Sequence, residues 1–173
     1  MFEFSDGDNR IRPMHHNDLD CVLAWRNHAD VRRYMYTQHK IAATEHQQWF
    51  ERTFQNPKKH LLVFESNHQP LGFVNFNESE SGGIADWGFY TAPYARKGCG
   101  RQLGFLALNH AFTQLKIRKV CGQVIAHNER SVRFHLALGF KQEGVLRDQY
   151  FDGERYHNVI SLGLLSAEWQ PCL

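Results

Sequence analysis

Nine consecutive residues constrain this chain more than any others: Arg96-Lys97-Gly98-Cys99-Gly100-Arg101-Gln102-Leu103-Gly104, which run directly into the helix-like Phe105-Leu106-Ala107-Leu108. A strand-like run over 84–90 precedes them. A strand that turns through glycines into a helix is an element of a layered α/β architecture, with the helix packed on the sheet. Glycines let a ligand approach the backbone closely, and the first N–H groups of a helix need acceptors. Arg96, Lys97 and Arg101 add positive charge where a diphosphate would sit. The spacing is not that of a P-loop, because no G-x-x-x-x-G-K-[ST] is present. Nor is it a dinucleotide fingerprint, because the βαβ context is missing.

The rest of the chain supplies the layers. Ile11 and its neighbours read as a short strand. Asn17 or Asp18 can cap a helix to about Asn27, with Leu19, Val22 and Leu23 as its buried stripe. Arg26 continues that stripe, an odd place for a cation. Thr44-x-x-Gln47 reads as a capping box for a second helix to about Gln55, with Trp49, Phe50, Phe54 and His46 on one face. Strand-like runs follow over 60–66, 71–77 and 84–90, separated by Asn67-His68 and Ser81-Gly82-Gly83. After the glycine loop come a helix to about Lys116, a buried strand over 119–126, and a short helix capped by Asn128. A hairpin then turns at Asp152-Gly153. The order ααβββαβαββ predicts an α/β (α+β) domain over 1–173. Its core is a mixed sheet of six to seven strands with helices on both faces. No repeat or linker-like stretch divides it.

Composition narrows the function classes. With 20 basic and 18 acidic residues the net charge is +2, too balanced for a general nucleic-acid binder. Cys21, Cys99, Cys121 and Cys172 form no C-x-x-C pair, so neither a zinc site nor a redox pair is expected. Free thiols suit a reducing cytoplasm. The eleven histidines form no HExxH pattern, so no metal is expected. No apolar run is long enough for a membrane span, and no signal segment is evident.

A second signature lies some thirty residues beyond the loop: Asn128-x-x-Ser131-x-x-Phe134-His135-x-x-x-Gly139-Phe140. Together the two stretches resemble the GNAT acetyltransferase superfamily, whose acetyl-CoA loop reads [QR]-x-x-G-x-[GA]. The resemblance implies the GNAT fold, with 84–140 as the acetyl-CoA-binding core. Residues 96–101 would cradle the pyrophosphate, and Asn128, Arg130 and Ser131 would line the path of the cofactor. Backbone N–H groups at Phe89 and Tyr90 would stabilise the thioester oxygen. Two positions depart from the pattern. Ala95 stands at the loop's usual first Arg/Gln position, and His135 stands where a tyrosine commonly protonates the coenzyme A thiolate. Histidine titrates below a thiol, so proton donation from His135 is downhill. The other reading of His135 is a core histidine that hydrogen-bonds coenzyme A.

The N-terminal third carries Trp25-Arg26-Asn27-His28, Met35-Tyr36 and His46-x-x-Trp49-Phe50. This pattern resembles acetyltransferases of the pseudaminic-acid pathway, which acetylate a nucleotide-linked 4-amino sugar used in flagellin glycosylation. The resemblance implies that 15–60 forms the acceptor side, with Arg26, Asn27, Met35, Tyr36, His46 and Trp49 lining it. A buried Arg26 needs an anion, either an internal carboxylate such as Asp86 or Glu45, or a ligand phosphate. Asp86 is also a candidate catalytic base. The expected reaction is direct attack of a primary amine on acetyl-CoA in a cytoplasmic enzyme, with homodimers common among relatives. A polyamine, a protein N-terminal amine, and a non-catalytic acyl-CoA-binding module are the competing readings.

Overall fold

The computed structural model describes residues 4–170; Cys172 lies outside them. One eight-stranded sheet runs through the molecule in the order β1-β2-β3-β4-β5-β6-β8-β7. Its strands are β1 Phe4–Asp6, β2 Asn9–Pro13, β3 Lys59–Ser66, β4 Gln69–Glu78, β5 Ile84–Thr91, β6 Lys119–Ile125, β7 Lys141–Phe151 and β8 Tyr156–Leu165. The helices are α1 Leu19–Asn27, α2 Ala29–Arg32, α3 Ala43–Phe54, α4 Cys99–Thr113 and α5 Glu129–Ala137. No described helix is long and apolar enough to cross a membrane.

The eighth strand is β1, which folds back on β2 through Gly7 at φ +58°. Asp6-Gly7 is a sound turn signal, but three residues are too few for a readable alternation. The other hairpins turn where expected: Asn67 and His68 both adopt positive φ, as do Gly82, Gly83 and Gly153.

Helix starts differ from the sequence expectation. Asp18 precedes α1, but both its carboxylate oxygens are bound by Arg12, at 2.7 and 2.8 Å. The Thr44–Gln47 capping box does not form; α3 begins at Ala43 without a side-chain cap, and Gln47 bonds Glu51 instead. Phe54, expected on the buried face, is 60% exposed.

Side-chain alternation divides the sheet into two unlike faces. Val74, Phe76, Trp87, Val120, Val124, Leu162 and Leu164 are buried on the α4–α5 face. Gly104 on α4 lets α5 approach, because a Cβ there would meet Phe134 and Leu138 at 2.8 Å. On the other face α1 and α3 cover Phe73 and Tyr90, while Asp86 and Gln123 remain exposed.

Candidate active site

The sheet carries one parallel junction, and there it splits. β5 and β6 pair only at Ile84–Lys119, Ala85–Val120 and Asp86–Cys121, although β5 continues to Thr91 and β6 to Ile125. Beyond those pairs the strands diverge, leaving a fork at their carboxyl ends, the usual place for a ligand in such sheets.

Backbone direction in the fork follows from its outer partners. Ser79 N donates to Ile84 O and Ala92 N to Leu71 O, at 2.8 Å each, so even-numbered β5 residues bond β4. The N–H and C=O of Phe89 and Thr91 therefore point into the fork. On the other side, Ser166 N donates to Arg118 O and Ala126 N to Asn158 O, so Gln123 and Ile125 present their N–H groups inward. Phe89 N–H thus faces into the fork, as the expected oxyanion donor must. Tyr90, expected to share that task, turns its N–H toward β4 instead. Its side chain lies on the acceptor face beside Phe73.

The glycine loop closes one end of the fork. Gly98 is the N-cap of α4 at φ +94°, a left-handed conformation that suits glycine. Arg101 N and Gln102 N both donate to Gly98 O, and Cys99 N donates to Arg96 O. Among the described residues the N–H groups of Lys97, Gly98 and Gly100 have no backbone acceptor. Arg96, Lys97 and Arg101 are exposed and make no ion pair among the described residues. These donors and cations fit a pyrophosphate. Cys99 is buried beneath the loop, and burial pushes its thiol pKa up. Arg130 is exposed, and Asn128 caps α5 by accepting from Ser131 N at 3.2 Å.

Residues 10–141 match the acetyltransferase (GNAT) domain family. The chain belongs to the GNAT acetyltransferases. It is similar to the spermidine N(1)-acetyltransferase of Escherichia coli K12, 25% identical over 162 residues, 92% of this chain and 87% of that one. It is also similar to acetyltransferase PseH of Campylobacter jejuni, 27% identical over 135 residues, 78% of this chain and 83% of that one. The fold matches the Vibrio cholerae spermidine N-acetyltransferase crystallised with CoA and spermine, with a TM-score of 0.86 at 22% identity, covering 94% and 98% of the two chains. As a GNAT enzyme the chain is an acetyl-CoA-dependent N-acetyltransferase.

The predicted acceptor-side residues of this GNAT chain do not all gather at the fork. Arg26 donates through Nη2 to Thr37 O at 3.2 Å, and its Nη1 is buried without a partner. Among the described residues no carboxylate pairs with it, so neither internal partner expected from the sequence is realised. Burial lowers its pKa. His46 is buried and stacks on Trp49 at 5.1 Å; burial, and then the Arg26 charge, hold it below the usual histidine range. Asn27 is spent on structure: its amide donates to Ile41 O at 2.9 Å and accepts from Ile41 N at 2.8 Å. That staple fixes the segment between α2 and α3, which crosses the open sheet face. From that segment Tyr36 OH donates to Gln123 Oε1 at 3.1 Å, and Gln38 Nε2 donates to Tyr150 OH at 3.0 Å. Met35 is half-buried within it, and its carbonyl accepts from Gln38 at 2.6 Å.

Asp86 is the last residue of β5 paired with β6. It is exposed on the acceptor face and has no hydrogen-bond or ion-pair partner among the described residues. His135 departs furthest from expectation. It is 3% exposed, with Nδ1 against Ser131 O at 2.7 Å and Nε2 accepting from Trp87 Nε1 at 3.1 Å. Both ring nitrogens are engaged by the protein, so this arrangement leaves no proton to hand to a thiolate. Gln123, Gln38, Tyr150 and Trp87 were not legible as site residues; a glycine at 122 within a strand-like run was the one available signal of a close approach.

Proposed function

We propose that this enzyme acetylates the primary amine of a small-molecule acceptor by direct attack within a ternary complex. The divergence of β5 and β6 carries the reading. It presents Phe89 N–H beside a cationic, glycine-lined helix start and opens onto the exposed carboxylate of Asp86. The neutral amine attacks the thioester carbonyl, the N–C bond forms, and Phe89 N–H stabilises the oxyanion. Collapse breaks the C–S bond, and the proton lost by nitrogen ends on the coenzyme A sulfur. Asp86 is the proposed base, through water, and Arg96, Lys97 and Arg101 hold the phosphates.

The comparisons back a polyamine acceptor better than the sugar nucleotide first expected from the sequence. Spermidine acetyltransferases align over more of the chain than PseH does, 92% against 78%, at 25% and 23% identity against 27%. The unpaired carboxylate of Asp86 on an open face suits an alkylammonium acceptor. One observation favours the sugar-nucleotide reading: the buried, unpartnered Nη1 of Arg26, which seeks an anion. Coenzyme A release, measured with acetyl-CoA and a panel of spermidine, spermine, a peptide amine and a UDP-linked 4-amino sugar, decides between them. No release with any amine, in a chain that binds acetyl-CoA, would overturn the enzymatic reading of the acceptor face.

A further inference from the structure

We propose that His135 is a positioning residue that wedges the β5–β6 fork open, with Trp87 and Gly122 as its fixed partners, and that it works as the neutral Nδ1–H tautomer. The location is specific. The last β5–β6 pair is Asp86–Cys121, so Trp87 and Gly122 are the first residues past the point of divergence. The His135 ring lies against both. Its Nε2 accepts the Trp87 indole N–H, and a Cβ built on Gly122 would stand 2.7 Å from that same nitrogen. Any side chain at 122 would therefore expel the ring.

The far side of the ring reaches the start of α5. Nδ1 donates to Ser131 O, and Ser131 N is in turn held by the Asn128 cap. The wedge thus links the diverging strand that carries Phe89 to the first turn of the helix overlooking the fork. Removing it would let the two edges shift and loosen the seat of the acyl donor between them, so its loss is read in KM for acetyl-CoA.

The tautomer follows from the partners. A carbonyl oxygen can only accept, so Nδ1 carries the hydrogen. The indole nitrogen can only donate, so Nε2 is bare. The other neighbours of the ring are Phe89 from β5, Phe134 from α5 and Phe140 after it. No charged side chain among its ring and hydrogen-bond neighbours would stabilise an imidazolium. Protonation would set two N–H donors against each other. Burial, only partly opposed by the Ser131 carbonyl, accordingly holds the ring below the usual histidine range.

Nitrogen-15 NMR on the wild-type full chain tests the tautomer directly and stands apart from the acetyl-transfer reading, on which the kinetic arms rest. The expected spectrum shows Nδ1 protonated and Nε2 bare at pH 7. An Nε2–H tautomer or an imidazolium there would overturn the proposal. His135→Gln offers an acceptor to Trp87 without titrating. It is expected to hold kcat within about threefold of wild type at pH 8 and to remove the acid limb that His135 contributes to kcat/KM for acetyl-CoA. A folded His135→Gln protein that loses kcat by a hundredfold or more, at unchanged KM, would make His135 the proton donor instead. Should that variant not fold, Trp87→Phe keeps the histidine and deletes its donor. A KM for acetyl-CoA raised about tenfold supports the wedge, and an unchanged KM and pH profile refutes it.

Discussion

Arg26 donates one hydrogen bond to the Thr37 carbonyl and keeps Nη1 buried with no partner. A cationic N–H in that state costs stability unless an anion completes it. Arg26→Met is expected to leave folding intact or slightly improved. It should raise KM at least tenfold for a phosphate-bearing acceptor and leave it unchanged, or lower it, for a polyamine. Steady-state kinetics on both acceptors reads the difference, and equal effects on the two would remove Arg26 from acceptor recognition.

At Gly98 the chain holds φ +94°, where an L side chain is strained. Gly98→Ala should lower stability by roughly 1 kcal/mol. Tilting the loop N–H groups should also raise KM for acetyl-CoA several-fold, with little change in acceptor KM. The neighbouring Arg96, Lys97 and Arg101 are exposed, so acetyl-CoA binding should weaken steadily with added salt. Isothermal titration at two ionic strengths checks both points.

Arg12 bonds Asp18 through both terminal nitrogens and reaches Glu65 at 2.7 Å through Nε, while Glu65 also pairs with Arg10. Burial alone would raise the two carboxylates, yet the Arg12 hydrogen bonds override it and leave both lowered. The network ties β2 and β3 to the turn that starts α1, and so sets the position of Arg26. Arg12→Met strands the buried Asp18 and leaves Glu65 with Arg10 alone, and should cost about 3 kcal/mol in denaturant unfolding. If the loss is under about 1 kcal/mol, the network does not anchor α1.

His110 is buried on α4 with an unpartnered Nδ1, and burial, with a smaller contribution from His60, lowers its pKa to about 4. The folded state then binds fewer protons than the unfolded chain, whose histidine titrates near 6.5, roughly. Stability from this group is fully present above the unfolded value and is lost as pH falls from there toward about 4. The loss is on the order of 3 kcal/mol. Thermal melts from pH 7.5 to 4.5 should therefore decline, and His110→Leu should flatten part of that decline. A parallel decline in the variant would assign the acid sensitivity elsewhere, His135, His46 and His127 being the other lowered histidines.

Several local signals carry directly into the structure. The glycine loop starts α4, Asn128 caps α5, and Asp152-Gly153 turns the last hairpin, because φ preferences and caps act over a few residues. Alternation also separated Trp87 from Asp86 correctly, since a strand's faces follow from its period of two. The Thr44–Gln47 box failed because capping also requires a particular helix start, and the N-cap falls at Ala42, two residues earlier.

The sequence by itself determined the layered fold, the glycine loop that starts α4 and the family, all of which are written in short-range pattern and glycine chemistry. Tertiary structure alone decided what the polar side chains do. It engaged both nitrogens of His135, spent Asn27 on Ile41, left Arg26 unpaired, and turned Phe89 rather than Tyr90 into the fork. The reason is physical. Periodicity tells which side of an element faces inward, but a hydrogen-bond partner some forty residues away depends on register, helix packing and the space one glycine leaves open.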